Sequence, residues 1–168
     1  MKEGHAGLAL ALMAERLVAT AGRRRVWLAP ELPARLLELE LRRVATPALA
    51  ELAVVRASTI GPRGELIGPH DGVGLPGRVW AWFDPSAGDQ IVAHAEGSRR
   101  GRAERLVCPQ GVIEVRKAGL VVVELAKGVS ARDLQACSAP PLLIDPEVNE
   151  MGFSPRQDGP HDGSHGVA

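Results

Sequence analysis

Apolar residues recur along the chain in short blocks, and the spacing within each block predicts a helix or a strand. In residues 8–21, Leu8, Leu12, Val18 and neighbouring alanines lie close to helical spacing, which predicts an amphipathic helix. Residues 26–29 and 52–57 are short apolar runs bounded by proline or turn residues, and such runs are typical of buried strands.

The segment PARLLELELRRV, residues 33–44, fits two periods at once. Its leucines alternate with glutamates, and the same leucines also fall near helical spacing. Leu, Glu and Arg are strong helix formers, which favours a helix for the whole segment. The later sequence GPRGEL, residues 61–66, is typical of a turn followed by a short extended piece.

The second half of the chain is dominated by strand patterns. Residues 79–83 form an amphipathic stretch with two tryptophans, and residues 90–94 are predicted as a strand. Residues 112–124 hold two apolar runs around a basic turn, which predicts an antiparallel hairpin, and a short helix follows. Because strands and helices alternate along most of the chain, we predict an α/β fold with an open, largely parallel sheet flanked by helices.

Length and composition indicate one folded domain. A chain of 168 residues that is 45% hydrophobic can bury a substantial core, and an aromatic content of 3% makes that core aliphatic. We predict a single domain over residues 1–152. Residues 153–168 contain few apolar residues, and we predict that they form a disordered tail.

Charge and cysteine content exclude several classes of protein. Lys+Arg and Asp+Glu both number 20, so no net field favours nucleic acid or an anionic membrane surface. No stretch approaches the ~20 apolar residues that span a bilayer. The early apolar run follows Glu3 and His5 and lacks a small-residue cleavage site, so we interpret it as a helix of a cytoplasmic protein rather than a signal peptide. Cys108 and Cys137 lie far apart, without zinc-ligand spacing, and are interpreted as buried small hydrophobes.

A resemblance to a known family rests on RLVCPQGVIEVRKAGLVVVELAKGVSARDLQACSAPPLLIDPEVNEM, residues 105–151. The order of an apolar strand, a GL…EL…GVS segment, an Ala-Pro pair and a closing Met is similar to the C-terminal end of the B subunits of two-subunit 3-oxoacid CoA-transferases. LAELAVVRASTIGPRGEL and DGVGLPGRVWAWFDPSAGDQIVAHAE are similar to two stretches further upstream in that family. The resemblance implies a fold of the CoA-transferase type.

The resemblance also shows what this chain lacks. The family's nucleophile is a glutamate in a SENG motif, which attacks the acyl-CoA thioester and becomes a glutamyl-CoA thioester. That motif should fall at residues 43–49, where the chain has RVATPAL, with neither Glu nor Gly. Glu65 in GELIGP is a weak candidate replacement, although its context resembles a turn of the family. The other candidate carboxylates are Glu31, Glu38, Glu40 and Glu51.

A glycine-rich loop, GVGLPG, is the first candidate for CoA contacts. It satisfies GxGxxG, but its mid-chain position and internal proline disfavour a dinucleotide site. The resemblance implies instead that Gly72, Gly74 and Gly77 let the backbone approach the pantetheine or phosphate of CoA. The alternative is an ordinary turn-rich loop.

An arginine cluster, EGSRRGRAER, is the second candidate. It places Arg99, Arg100, Arg102 and Arg105 on a predicted exposed loop, and arginine suits bidentate phosphate recognition. Arg99 and Arg100 are therefore candidate contacts to the phosphates of CoA. The alternative is a solvated loop, and the absence of interleaved aromatic residues disfavours nucleic acid.

Two further patterns support neither a metal site nor a hydrolase. GPHDG occurs twice, at residues 68–72 and 159–163; the first copy has no third fixed ligand, and the second, with His165 nearby, lies in the predicted tail, so we interpret both as turns and predict no metal site. Ser58 together with His70 or His94 lacks the nucleophile elbow of a hydrolase.

The sequence thus leaves two functions open. In the first, the protein is a CoA-transferase subunit that works with an A-type partner to move CoA between short-chain 3-oxo acids. In the second, it is a non-catalytic relative that binds a CoA ester or a partner protein. We expect CoA or acyl-CoA as ligand, no permanently bound cofactor, and either an A-type partner subunit or a homo-oligomer.

Overall fold

A computed structural model describes residues 2–67, 74–96 and 99–152. Within these ranges there are three α-helices: α1 (Lys2–Ala21), α2 (Ala34–Leu37) and α3 (Ala131–Gln135). The described strands are β1 (Val26–Leu28), β2 (Leu52–Arg56), β3 (Thr59–Ile60), β4 (Glu65–Ile67), β5 (Val79–Trp82), β6 (Gln90–Ile91), β7 (Arg99–Arg102), β8 (Arg105–Cys108), β9 (Gly111–Arg116), β10 (Gly119–Leu125) and β11 (Leu143–Glu150).

The larger sheet has seven strands in the order β1-β2-β5-β8-β9-β10-β11. The pairs β1–β2, β2–β5, β5–β8 and β10–β11 are parallel, and only β9 runs antiparallel to its neighbours. This confirms the predicted α/β fold with an open, largely parallel sheet. The predicted hairpin at residues 112–124 is confirmed as β9 and β10.

A second, four-stranded sheet has the order β6-β3-β4-β7. Strands β3 and β4 form a tight hairpin across the GPRG turn, in which Gly64 has a φ of 77° that favours glycine. A Cβ atom at Gly64 would also lie 2.6 Å from the carbonyl oxygen of Ala103. The turn was predicted from the sequence, but the separate sheet was not.

Helix α1 packs on one face of the large sheet. Ala9, Leu12, Met13 and Leu17 are buried at spacings of three and four residues, and Leu12 and Met13 lie beside Trp80 of β5. Of the residues predicted for the apolar stripe, Leu12 is buried, whereas Leu8 and Val18 are exposed. The side chain of Arg16 donates to the Glu124 carboxylate, which ties the helix to β10.

The long helix predicted for residues 33–44 is wrong beyond its first turn. Only Ala34–Leu37 is helical, and Leu39 and Leu41 are then partly buried while Glu40 between them is exposed. A turn follows the helix, and residues 42–44 then pair with the sheet: Val26 of β1 donates to the carbonyl of Arg42 and accepts from the amide of Val44. This backbone pairing overrides the helix propensity of the segment.

Three smaller predictions also need correction. The strand predicted at residues 90–94 is confined to β6. The stretch at residues 79–83 is not amphipathic, because every residue of β5 is buried, as is Phe83. Strand β11, which pairs parallel with β10, was not predicted. The predicted tail at residues 153–168 lies outside the described residues.

Candidate anion-binding cleft

The segment where the resemblance places the nucleophile has no catalytic geometry. Arg43 makes a single parallel bridge to Val26, and Pro47–Leu49 then forms one 3₁₀ turn. Residues 43–49 thus add only one bridge to the edge of the sheet, next to β1. The chain has no carboxylate at the position that the resemblance assigns to the nucleophile.

Glu65 is buried, and its contacts stabilise a turn. Its exposed fraction is 4%, and its Oε1 accepts a hydrogen bond of 2.7 Å from the backbone N–H of Arg63. Its Oε2 lies directly over Gly61, across the same hairpin. The carboxylate therefore stabilises the GPRG turn from its buried side. Enclosed in this way, it is poorly placed to attack a bound substrate.

The other candidate carboxylates lie on the surface. Glu31, Glu38 and Glu40 are exposed. Glu51 is about half exposed, and its Oε2 accepts from the backbone N–H of Arg25 at 2.9 Å. This hydrogen bond lowers the pKa of the Glu51 carboxyl.

A broad cleft of about 780 Å³ lies at the amino ends of β5 and β8. Four separate segments form it: the β3–β4 turn, Gly77 just before β5, the connection from β7 to β8, and the β9–β10 turn. We call it the basic cleft, and its lining residues are Pro62, Arg63, Gly77, Arg102, Ala103, Glu104, Val115, Arg116, Lys117, Ala118 and Gly119.

The charges of the basic cleft are unbalanced. Arg63, Arg102 and Lys117 are exposed, and none forms an ion pair with a side chain in the described part of the chain. They come from three different segments, so their charges add around one space. Like charges brought together in this way attract an anion.

The remaining charged residues of the cleft are already engaged. Arg116 bonds to Glu114 and to Asp145, at 2.8 Å each, and these bonds raise the pKa of its guanidinium. The Glu104 carboxylate accepts from Arg78 at 3.1 Å and from the indole N–H of Trp80 at 3.0 Å. Glu104 therefore cancels little of the charge of Arg63, Arg102 and Lys117.

Part of the glycine-rich loop GVGLPG, predicted to contact CoA, lies at this cleft. Gly77 lines it, and a Cβ atom built at Gly77 would meet nothing within 4 Å. Gly74 is exposed and equally open. Gly72 lies outside the described residues.

The predicted arginine loop is wrong in its structure. Arg99 and Arg100 belong to β7, and Arg105 belongs to β8. The side chains of Arg99 and Arg100 are outside what the structure describes, so their role as phosphate contacts stays a prediction. Arg105 lies over the ring of Trp80, 5.0 Å from its centroid, and bonds to Glu114, while Arg102 lines the basic cleft.

Sequence reasoning missed Arg63 and Lys117. Each lies in a turn, in GPRG and RKAG, where an exposed basic residue is ordinary. The only available signal was that both turns are tight and strongly basic. Their proximity depends on how the two sheets pack.

Comparisons with known structures identify the fold. No protein-family model matches the sequence, and no curated protein matches it. The decarboxylase AibA/AibB superposes with a TM-score of 0.59 at 10% identity over 90% of both chains. Rhodococcus jostii RHA1 IpdAB gives 0.64 at 11% identity over 90% of both chains.

A third similar structure is the acyl-CoA transferase YdiF from Escherichia coli O157:H7, with a TM-score of 0.62 at 11% identity. The match covers 85% of this chain but 43% of the YdiF chain. The fold is therefore of the CoA-transferase type, as the resemblance implied.

The described residues show neither a membrane-spanning helix nor a cluster of metal-ligating side chains. No helix in residues 2–67, 74–96 or 99–152 is both long and apolar enough to cross a membrane. The same residues contain no group of three or more His, Cys, Asp or Glu side chains that could hold a metal ion.

Proposed function

We propose that this protein is a subunit of a CoA-transferase-fold assembly and that it binds CoA or an acyl-CoA ester. The observation that carries the proposal is the convergence of Arg63, Arg102 and Lys117, without ion-pair partners in the described ranges, on the basic cleft beside Gly77. Three exposed cations around one cleft favour an anionic ligand.

The chemistry of CoA suits such a cleft. CoA carries a diphosphate and a 3'-phosphate, so several anionic oxygens lie within one flexible molecule. Arginine binds phosphate oxygens in a bidentate manner, and lysine acts as a point charge. A volume of about 780 Å³ lies within the range of ligand clefts. The missing side chain at Gly77 leaves the backbone open to the ligand.

We further propose that binding does not lead to a glutamyl-CoA intermediate. Residues 43–49 hold no carboxylate, and Glu65 is enclosed beneath its own turn. The similar structure AibA/AibB is named a decarboxylase. Proteins with this fold therefore include an enzyme named for a reaction other than CoA transfer, which supports the proposal.

A second subunit belongs to the proposal. The names AibA/AibB and IpdAB each designate two components, and this chain matches 43% of the YdiF chain. We propose that a second CoA-transferase-fold subunit, of the A type, supplies the remainder of the assembly. Light scattering of the purified chain distinguishes a homo-oligomer from a monomer that awaits a different partner.

Calorimetric titration with CoA tests the ligand and the cleft together. Arg102→Ala and Lys117→Ala should each weaken binding about fivefold to tenfold, since each removes roughly 1 kcal/mol of exposed charge-assisted contact. The matched control is Arg35→Ala, which removes an exposed arginine outside the cleft and should leave the affinity unchanged. Pantetheine, which lacks the phosphates, should bind far more weakly than CoA. Equal affinities for all variants would place the CoA site elsewhere.

Mass spectrometry after incubation with acetoacetyl-CoA tests the chemistry. We expect an adduct in the native spectrum that disappears on denaturation, which is the result for binding without covalent catalysis. An adduct that survives denaturation at the mass of CoA less one water would show a glutamyl thioester and contradict the non-covalent proposal. If neither spectrum shows an adduct and calorimetry shows no heat, this chain alone does not bind CoA.

A further inference from the structure

Glu104 is the one acidic residue among the described residues that line the basic cleft. Its backbone is fixed on both sides, because its N–H donates to the carbonyl of Val79 and its carbonyl accepts from the N–H of Val115. Its side chain is 39% exposed. The fold therefore holds a carboxylate at a set position among the cations of the cleft.

The two oxygens of this carboxylate have different surroundings. Oε1 accepts from the indole N–H of Trp80 at 3.0 Å and from Nε of Arg78 at 3.1 Å, and Nη2 of Arg78 also lies 3.1 Å from it. Oε2 has no hydrogen-bond donor in the described part of the chain. It is accessible, because Gln110 Oε1 is the only buried side-chain oxygen or nitrogen without a partner in the described ranges. The protein therefore satisfies Oε1 and leaves Oε2 open to a donor from a ligand.

The ligand group that meets Oε2 must carry an N–H or O–H group and no negative charge. A phosphate oxygen does not fit, since two acceptors would then meet with no hydrogen between them. The ribose hydroxyl of CoA is disfavoured because it lies next to the 3'-phosphate, which the carboxylate repels. The exocyclic amino group of adenine is a neutral donor at the far end of the nucleotide from its phosphates.

Arg102 favours a planar base over a pantetheine amide at this position. It lies two residues before Glu104 and lines the same cleft. A guanidinium bonds to phosphate through its edge and stacks on an aromatic ring through its face. An adenine base can use Arg102 and Glu104 together, whereas an amide of the flexible pantetheine arm can use only the carboxylate.

We infer that the basic cleft selects adenine nucleotides and that Glu104 Oε2 accepts from the exocyclic amino group of the base. The inference rests on the proposed function, because the phosphates of CoA must occupy the cleft for the base to reach Glu104. It adds base specificity, which Arg63 and Lys117 cannot supply, since phosphates are common to all nucleotides.

Calorimetric titration of the full chain compares CoA with its hypoxanthine analogue, in which a carbonyl oxygen replaces the amino group and the phosphates are unchanged. CoA should bind about tenfold more tightly, because only CoA places the exocyclic donor at Oε2. Equal affinities, or tighter binding of the analogue, would overturn the inference, while CoA binding that is weakened by Lys117→Ala would leave the proposed function standing. Binding of neither ligand would overturn both.

Glu104→Gln tests the recognition atom. The variant keeps an oxygen for Trp80 and replaces Oε2 by an amide N–H group, which donates to the carbonyl of hypoxanthine. The preference should therefore reverse, with the analogue bound more tightly than CoA. Glu114→Gln is the matched control and should keep the wild-type preference, because the Glu114 carboxylate bonds to Arg105 and Arg116 and does not line the cleft. An unchanged preference in Glu104→Gln, or the same change in both variants, would contradict the role of Oε2. The wild-type comparison decides the inference even if a variant fails to fold.

Discussion

The carboxylate of Glu65 lies against the backbone of Gly61, so closely that a Cβ atom at Gly61 would be 2.5 Å from Oε2. The same carboxylate accepts from the N–H of Arg63 within the turn. The two contacts hold Glu65 beneath the β3–β4 hairpin. A residue that looked like a candidate nucleophile in the sequence thus has the environment of a structural group.

Gly61→Ala should destabilise the protein by roughly 1 to 3 kcal/mol, because the new methyl group forces the buried carboxylate from its place. In a Glu65→Ala background the same substitution should cost less, since the nearest remaining atom is then Ala95 Cβ at 3.0 Å. Urea unfolding of the double-mutant cycle measures this coupling. Gly74→Ala is the control, because a Cβ atom there meets nothing within 4 Å. Additive effects at Gly61 and Glu65 would contradict the contact.

Asp133 should make stability fall in acid. Hydrogen bonds from the Ser130 amide and hydroxyl lower the pKa of the Asp133 carboxyl below its ordinary value of 3.8. A lowered folded-state pKa means that the capping box adds stability above pH 3.8, and that this stability is lost as the pH falls through the folded-state pKa.

Thermal unfolding of wild type and Asp133→Ala between neutral pH and acid measures this contribution. The two melting temperatures should differ most near neutral pH and converge in acid. Glu40→Ala, which removes an exposed carboxylate, is the control and should show no such convergence. A gap between wild type and Asp133→Ala that stays constant with pH would mean that the Asp133 charge does not contribute.

The two cysteines should differ in reactivity. Burial raises the pKa of the Cys108 thiol to about 12. Burial also raises the pKa of Cys137, which is only partly buried. Because the thiolate is the reactive form, iodoacetamide at mildly alkaline pH should modify native Cys137 slowly and Cys108 hardly at all. Peptide mass spectrometry counts the modified sites, and denatured protein, in which both react, is the control. Modification of native Cys108 at the rate of Cys137 would contradict its burial.

Binding of CoA to the basic cleft should depend strongly on salt. The cations Arg63, Arg102 and Lys117 are exposed, and screening reduces their attraction to phosphate as the Debye length falls from ~10 Å at 0.1 M to ~3 Å at 1 M salt. The dissociation constant measured by calorimetry should therefore rise with sodium chloride, and less steeply for Lys117→Ala. Arg35→Ala should follow the wild-type slope. An affinity that is independent of salt would exclude an electrostatic site.

The sequence determined the features that depend on neighbouring residues. The hairpin of β9 and β10 follows from two apolar runs around the RKAG turn, and the β3–β4 turn follows from GPRG with its glycine at positive φ. The resemblance of residues 105–151 pointed to the CoA-transferase fold, which the similar structures show. For both turns, a short segment with this pattern can bury its apolar residues in only a few conformations, so the local sequence is enough to predict the structure.

Only the tertiary structure decided the rest. The residue types of 33–44 favour a helix, but backbone pairing of Arg42 and Val44 to Val26 holds the end of the segment at the edge of the sheet. The basic cleft unites Arg63, Arg102 and Lys117, which are distant in sequence. A local pattern carries no information on such contacts, because they form only when separate strands enter the two sheets and bring their ends together.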